Sequence, residues 1–329
     1  MNGWDLGLIV VRDGSHSSGE RSALNRDVER GVFARLRRGV YADRAGWESL
    51  PAEHRHIAMI RAVAEVSDEP VLFSHASAAV LHGLPVLRRH LLRVHTTTST
   101  ATERGRGDVA GHLFAVQDEE VVTIRSLRVT TIGRTVVDLA GAASFGEGLM
   151  AADAALLTGV PRAVLERAVD LAGPRQAARR IADVVAVAHP GAESAAESMT
   201  RSNLIRLGYE PPELQFALWD EWGLVAFLDF FFRRFRVGGE ADGLKKYLDP
   251  ALAATGAGRA VVDEKLREDR VLPLVHGLAR WGWREATDAT LLRQKLARSG
   301  VHPSTPRATI ADYAAAARDA QPRRLISLR

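Results

Sequence analysis

The sequence predicts a multi-domain α/β chain, of the α+β kind in which helical and stranded blocks succeed one another. Three observations carry this. The 329 residues suffice for two or three domains. Hydrophobic residues make up 46% and charged residues 26%, the balance of a folded globular chain. Runs with helical apolar spacing give way to short β-branched and aromatic runs bounded by Gly, Pro or Asp.

Residues 1–50 read as a small helical unit ending in a basic β-turn. Leu24, Val28, Val32 and Leu36 recur at near-helical spacing, with Gly31 interrupting. Arg37, Arg38 and Gly39 form a turn, and Val40-Tyr41 starts a strand. Helix, turn, helix and basic wing is the order expected of a winged helix. Arg35, Arg37 and Arg38 are its candidate phosphate contacts.

Residues 51–188 read as an α/β domain. A proline-started helix, PAEHRHIAMIRAVAEV, turns Ile57, Ile60 and Ala64 inward. Ser74 is placed to cap a short helix that Gly83 and Pro85 end. LLRVHTTT, HLFAVQ and VVTIRSLRVTTI are β-rich, and the helical segments TVVDLAGAASFGEGLMAADAALL and PRAVLERAVDL follow. A boundary is expected between residues 172 and 192.

Residues 189–300 begin with a helix, ESAAESMTRSNLIRLGY, closed by Gly208. Strands LQFALW, LVAFLDFFF, RVGGEADG and GLARWGW come next, with a helix over AVVDEKLREDRVL and Pro273 near its end. Residues 301–329, with Pro303, Pro306 and Pro322, are expected to be a loosely held tail.

The chemistry concentrates in one hairpin. The turn between LVAFLDFFF and RVGGEADG centres between Arg234 and Phe235, so antiparallel pairing sets Asp229 opposite Glu240. Facing carboxylates repel unless a cation lies between them, and a divalent metal is the usual cation. Strict alternation puts Phe227, Asp229 and Phe231 on one face and Leu228, Phe230 and Phe232 on the other, burying Asp229 among aromatics. The competing reading is a buried salt bridge to an arginine such as Arg280. Asp242 shares a face with Glu240 as a further metal ligand, or opens an Asp-Gly turn. Lys246, beside Tyr247, is placed to orient a water or hold a phosphate; Lys245 reads as surface. Glu193 and Glu197 lie a helical turn apart, Glu193 serving the helix dipole and Glu197 reaching the metal. Glu264, Lys265, Arg267, Glu268 and Asp269 read mainly as a solvated face.

Composition narrows the function. A net charge of +4 and a pI near 9.7 favour an acidic partner, DNA first. Absence of cysteine excludes disulfides, thiolate metal sites and cysteine nucleophiles. The 11 histidines show no HExxH spacing; His54 and His56 do not share a helical face, and His82 reads as structural. No apolar stretch is long enough to span a bilayer, and the first residues lack a basic n-region, so the expectation is a cytoplasmic protein without membrane contact.

RLRRGVYAD, SHASAAVLHGLPV and TIGRTVVDLA together resemble the AbiEi-type antitoxin region of type IV toxin–antitoxin systems, a winged helix joined to an α/β domain. ESMTRSNLIRLGYEPPELQ, FLDF, GEADGLKKY, EKLREDR and ARWGW resemble the very-short-patch-repair-like endonuclease domain of actinobacterial proteins, within the PD-(D/E)XK superfamily. The two resemblances span roughly residues 20–285. They imply a restriction-endonuclease-like mixed sheet flanked by helices and a Mg²⁺- or Mn²⁺-dependent endodeoxyribonuclease. Asp229 and Glu240 take the metal positions, Glu197 the helix glutamate, Lys246 the lysine role and Arg280 a place in the last strand beside DNA. The chain departs from the superfamily pattern at Asp242, which stands where a strict (D/E)-x-K motif has lysine. Three functions follow: a metal-dependent DNA endonuclease, an antitoxin-like regulator carrying an inactive nuclease fold, with a toxin or other protein partner, or a structural protein whose carboxylates sit in salt bridges.

Overall fold

The computed structural model describes residues 2–11, 17–98, 107–173, 176–241, 267 and 269–320. It is a mixed α/β protein with three sheets. The chain packs as two compact units: Met1–Leu139 with Arg167–Gly173, and Ala140–Glu166 with Pro174–Arg329. The expected boundaries near residues 50 and 188 fall inside these units. Among the described residues no helix is long and apolar enough to cross a membrane.

The first unit opens with β1 (Ile9–Val10) and α1 (Ser18–Glu29), whose start is a capping box of Ser17 and Glu20. The helix stops earlier than the apolar spacing suggests. Gly31 takes φ +80°, and the Val32 amide bonds back to the Asp27 carbonyl. That left-handed turn throws Val32 and Leu36 out of the helix, and Val32 is 48% exposed. The chain continues as β2 (Phe33–Arg37) and β3 (Val40–Asp43), a hairpin turning at Arg38 and Gly39. The sheet order is β1-β3-β2. Helices α2 (Arg44–Ser49) and α3 (Ala52–Val66) follow, and Leu6, Ala42, Leu50 and Ala58 close a small core. The observed order is therefore helix, hairpin, helix, and the expected second helix before the wing is a strand.

A second sheet has the order β6-β5-β4-β8-β7. Its strands are β4 (Leu72–Phe73), β5 (Val94–Thr98), β6 (Val109–Leu113), β7 (Val121–Ile124) and β8 (Leu127–Thr130). Helix α4 (His75–Leu81) starts after Ser74 as expected. The Ser74 hydroxyl caps no backbone amide; it bonds His75 Nδ1 and accepts from Thr97. Ile60, Val63, Phe73 and Val94 form the core between helix and sheet.

Helices α5 (Ile132–Ala142) and α7 (Arg162–Ala172) contribute residues to both units. The second unit holds α6 (Phe145–Leu157), α8 (Ala178–Val187) and α9 (Ala195–Leu207), which ends at Gly208 in the left-handed conformation. Its sheet runs β12-β11-β10-β9: β9 (Glu213–Asp220), β10 (Gly223–Phe232) and β11 (Val237–Ala241) are antiparallel, and β12 (Gly277–Trp281) is parallel to β11. Pro273 lies in a single 3₁₀ turn, Leu272–Leu274.

The C-terminal stretch is not loose as far as residue 320. Val301 is buried, Ser304 donates both its amide and its hydroxyl to the Gly208 carbonyl, and Tyr313, Ala314 and Ala317 form the buried face of a capped helix. The helices after β12 are α10 (Trp283–Thr287), α11 (Ala289–Arg298) and α12 (Ile310–Arg318). The prolines lie ahead of α12 and leave its apolar face free to dock.

Candidate functional site

Four strands bring four polar residues into one transverse row. The antiparallel register Phe230↔Gly239, carried one step further, sets Asp229 against Glu240. Glu240 pairs with Arg280 in parallel register. Leu228↔Phe216 and Phe230↔Leu214 bracket Gln215 against Asp229. Counting residues from the turn therefore yields the observed opposition of the two carboxylates.

The environment of each acid differs from expectation. Glu240 is 8% exposed and clamped by two guanidinium groups, Arg267 Nη2 on Oε1 at 2.9 Å and Arg280 Nε on Oε2 at 2.7 Å. The salt bridge to Arg280 thus exists, on Glu240. The two cations outweigh the single carboxylate and leave this end of the row positive. Arg280, expected at DNA, has its Nε committed to Glu240. Asp229 is half-buried, and its Oδ2 accepts from the Ala241 amide at 2.8 Å. Strict alternation does not hold around it: Phe227 is 37% exposed, and Leu228 and Phe231 lie in the same apolar cluster. The cause sits on the neighbouring strand, where Gln215 takes φ +51°, a left-handed kink opposite Asp229.

Helix α9 delivers the third acid. Ser194 caps it, and Glu197 in its first turn reaches back to accept from the Glu193 amide at 2.9 Å. Glu193 precedes the helix rather than sharing its face. Glu197 Oε2 also accepts from Gln215 Nε2 at 3.3 Å. Burial, and next the charge of Asp229, push the Glu197 carboxyl up to about 7. The helix is pinned to the sheet by Trp281, whose Nε1 donates to Thr200 at 2.8 Å. The Trp281 ring crosses Gly239, where a Cβ would lie 2.6 Å from it, so only glycine fits there.

Among the described residues no cluster of three or more histidines or acids is placed to hold a metal ion. The donors that remain are Asp229 and Glu197, hard oxygens whose mutual repulsion a cation would relieve. Two carboxylates completed by waters and a phosphate oxygen suit Mg²⁺ or Mn²⁺, so the set fits such an ion with Glu240 held aside. Asp242 and Lys246, and with them Lys245, Tyr247, Glu264, Lys265 and Glu268, lie outside the described residues.

In the first unit Arg35 and Arg38 are exposed, whereas Arg37 is half-buried with its Nε 3.8 Å from Asp108. No family model matches this chain, and no curated protein sequence matches it.

Two features escaped the sequence reading. Gln215 carries no local signal; only its strand partner reveals it. The histidines are paired after all, though by stacking: the His75 and His112 rings lie 3.5 Å apart, and His95 Nδ1 meets His112 Nε2 at 2.9 Å. They come from distant segments, so no spacing motif announces them. His82 is structural as read, bonding the Thr130 carbonyl at 2.7 Å.

The raised Glu197 carboxyl makes a testable stability statement. Its folded form holds a proton that the unfolded chain releases between about 4.5 and 7, so this group costs stability as pH rises through that window. Glu197→Gln keeps the acceptor oxygen and removes the ionisation. The variant should match the parent in Tm at pH 4.5 and exceed it by about 2 kcal/mol at pH 8 in EDTA. An equal offset at both pH values would remove the titration from the argument.

Proposed function

We propose that the second unit is a metal-dependent DNA endonuclease domain and that the first unit is a DNA-contacting, antitoxin-like region. The observation that carries this reading is the row Gln215, Asp229, Glu240 and Arg280, met by Glu197 from α9. It sets acids beside arginines on a basic chain, the pairing that phosphodiester chemistry needs. Its order along the chain also agrees with the PD-(D/E)XK resemblance.

Asp229 and Glu197 would hold Mg²⁺ or Mn²⁺. Such an ion, when bound, lowers the pKa of a bound water and neutralises charge on a phosphate oxygen. Arg267 and Arg280 keep Glu240 neutralised and leave positive potential for the DNA backbone. Glu197, with a carboxyl near 7, exchanges a proton readily at neutral pH and is the group suited to take one from water. Gln215 fixes the Glu197 carboxylate through its amide.

A supercoiled and a mismatch-bearing plasmid should be nicked in Mg²⁺ or Mn²⁺, and nicking should stop in EDTA. Asp229→Ala should lower the rate at least about a hundredfold while DNA retention persists. Unchanged cleavage by Asp229→Ala sinks the site.

One observation favours a second reading. With both Glu240 oxygens held by arginines, the row also suits a nuclease fold without activity, serving a regulator that recognises DNA and a protein partner such as a toxin. Promoter binding that tolerates Asp229→Ala, with no cleavage in any metal, would select it.

A further inference from the structure

A cleft of about 340 Å³ lies beside β9 and shares Gln215 with the polar row. Its walls include the adjacent rings of Pro211 and Pro212. Tyr313 on α12 lines it, only 2% exposed, and the Tyr313 hydroxyl has no hydrogen-bond partner. A buried unpaired hydroxyl costs about 1–3 kcal/mol, so its persistence calls for a ligand that accepts from it.

The charges around the cleft are already settled. Arg201 donates to Asp153 Oδ2 at 2.6 Å and to the Val187 carbonyl at 2.5 Å. His189 Nδ1 accepts from the Gly191 amide at 2.8 Å, which leaves its proton on Nε2. Burial, then Arg201 and Arg162, hold that imidazole down at about 3, so it is neutral at physiological pH. A phosphate would find its cation already paired, and a purely apolar group would leave Tyr313 unsatisfied. Flat apolar walls with neutral donors instead match a planar ring that carries acceptor atoms.

We propose that this cleft receives a single unstacked nucleobase of the DNA whose backbone lies at the Asp229 row. The inference rests on the DNA reading above and names its substrate class: DNA with a base free to leave the stack, as at a bulge or mismatch. Gln215 joins the two subsites, because it lines the cleft and bonds Glu197.

The test compares two duplexes in EDTA, one with a bulged 2-aminopurine and one with an abasic bulge at the same place. The wild-type chain should bind the base-bearing duplex about tenfold more tightly, with a change in 2-aminopurine emission. Tyr313→Phe should erase most of that preference, leave abasic affinity unchanged, and leave Tm equal or higher, since it deletes an unpaired buried hydroxyl. Equal affinity for the two duplexes, or a preference that survives Tyr313→Phe, overturns the cleft assignment. Plasmid cleavage in Mg²⁺ separates the two ideas. Cleavage without base preference sinks the cleft alone, base preference without cleavage sinks the nuclease alone, and neither binding nor cleavage sinks both.

Discussion

Lowering the pH from 6.5 to about 4 should unfold the first unit well before ordinary acid denaturation of carboxylates. Three histidines there are held neutral. His56 is 2% exposed between the Leu91 carbonyl and Ser77, and burial pulls it down to about 4. His95 and His112 are likewise near 4, first through burial and then through neighbouring imidazoles. The unfolded chain binds protons at about 6.5 and the folded chain does not, so stability rises with pH through this window and is lost as pH falls through it. His56 alone accounts for about 3 kcal/mol at full protonation, because each tenfold loss of proton affinity on folding is worth about 1.4 kcal/mol. The His95–His112 pair adds to this, because a proton on either ring faces its partner at 2.9 Å. The check is Tm against pH from 7.5 to 4.5, with His112→Gln expected to flatten the slope by roughly one proton. A Tm that stays level between pH 6.5 and 5 would refute the buried-neutral assignment.

Replacing Arg134 should cost the first unit about 3–5 kcal/mol. Arg134 is 1% exposed. Its Nε donates to Asp138 Oδ1 at 2.8 Å and its Nη1 to Glu120 Oε2 at 2.9 Å, with the Ala115 carbonyl at 3.3 Å. Asp138 and Glu120 are themselves 1% and 2% exposed. Removing the guanidinium leaves two acids stranded in a dry interior, where charge without a partner is costly. Arg134→Met should therefore lower the urea midpoint sharply. Arg134→Lys should recover only part of the loss, because one ammonium cannot bridge both acids as a planar fork does. A loss below about 1 kcal/mol in Arg134→Met would show that the network is not a structural keystone. This gives TIGRTVVDLA a physical meaning: Arg134 and Asp138 stand one helical turn apart on α5 and meet Glu120 from before β7.

Much of the site was legible by counting. The hairpin centre between Arg234 and Phe235 predicts the partnership of Asp229 and Glu240, because antiparallel register follows from the turn alone. Gly208 ended α9 and Asp220 to Gly223 turned β9 into β10, each through local backbone chemistry. The expected burial of Asp229 among aromatics failed because alternation assumes an unbroken pleat. Gln215, a residue with no special propensity, adopts a left-handed conformation on the next strand. Helix α1 ended early because Gly31 is a stronger signal than the apolar spacing of Val32 and Leu36.

What the sequence by itself determined are the short-range matters: the order of helices and strands in the second unit, the hairpin register, and the acids that face one another. These depend on period and turn chemistry within a few residues. Tertiary structure alone decided who neutralises whom. Glu240 took Arg267 and Arg280, Glu197 came near Asp229 and acquired a carboxyl near 7, and four histidines from positions 56, 75, 95 and 112 gathered in one unit. Charges and imidazoles change character with burial and with neighbours brought from 27 to 40 residues away, as for Glu240, and no local pattern encodes those encounters.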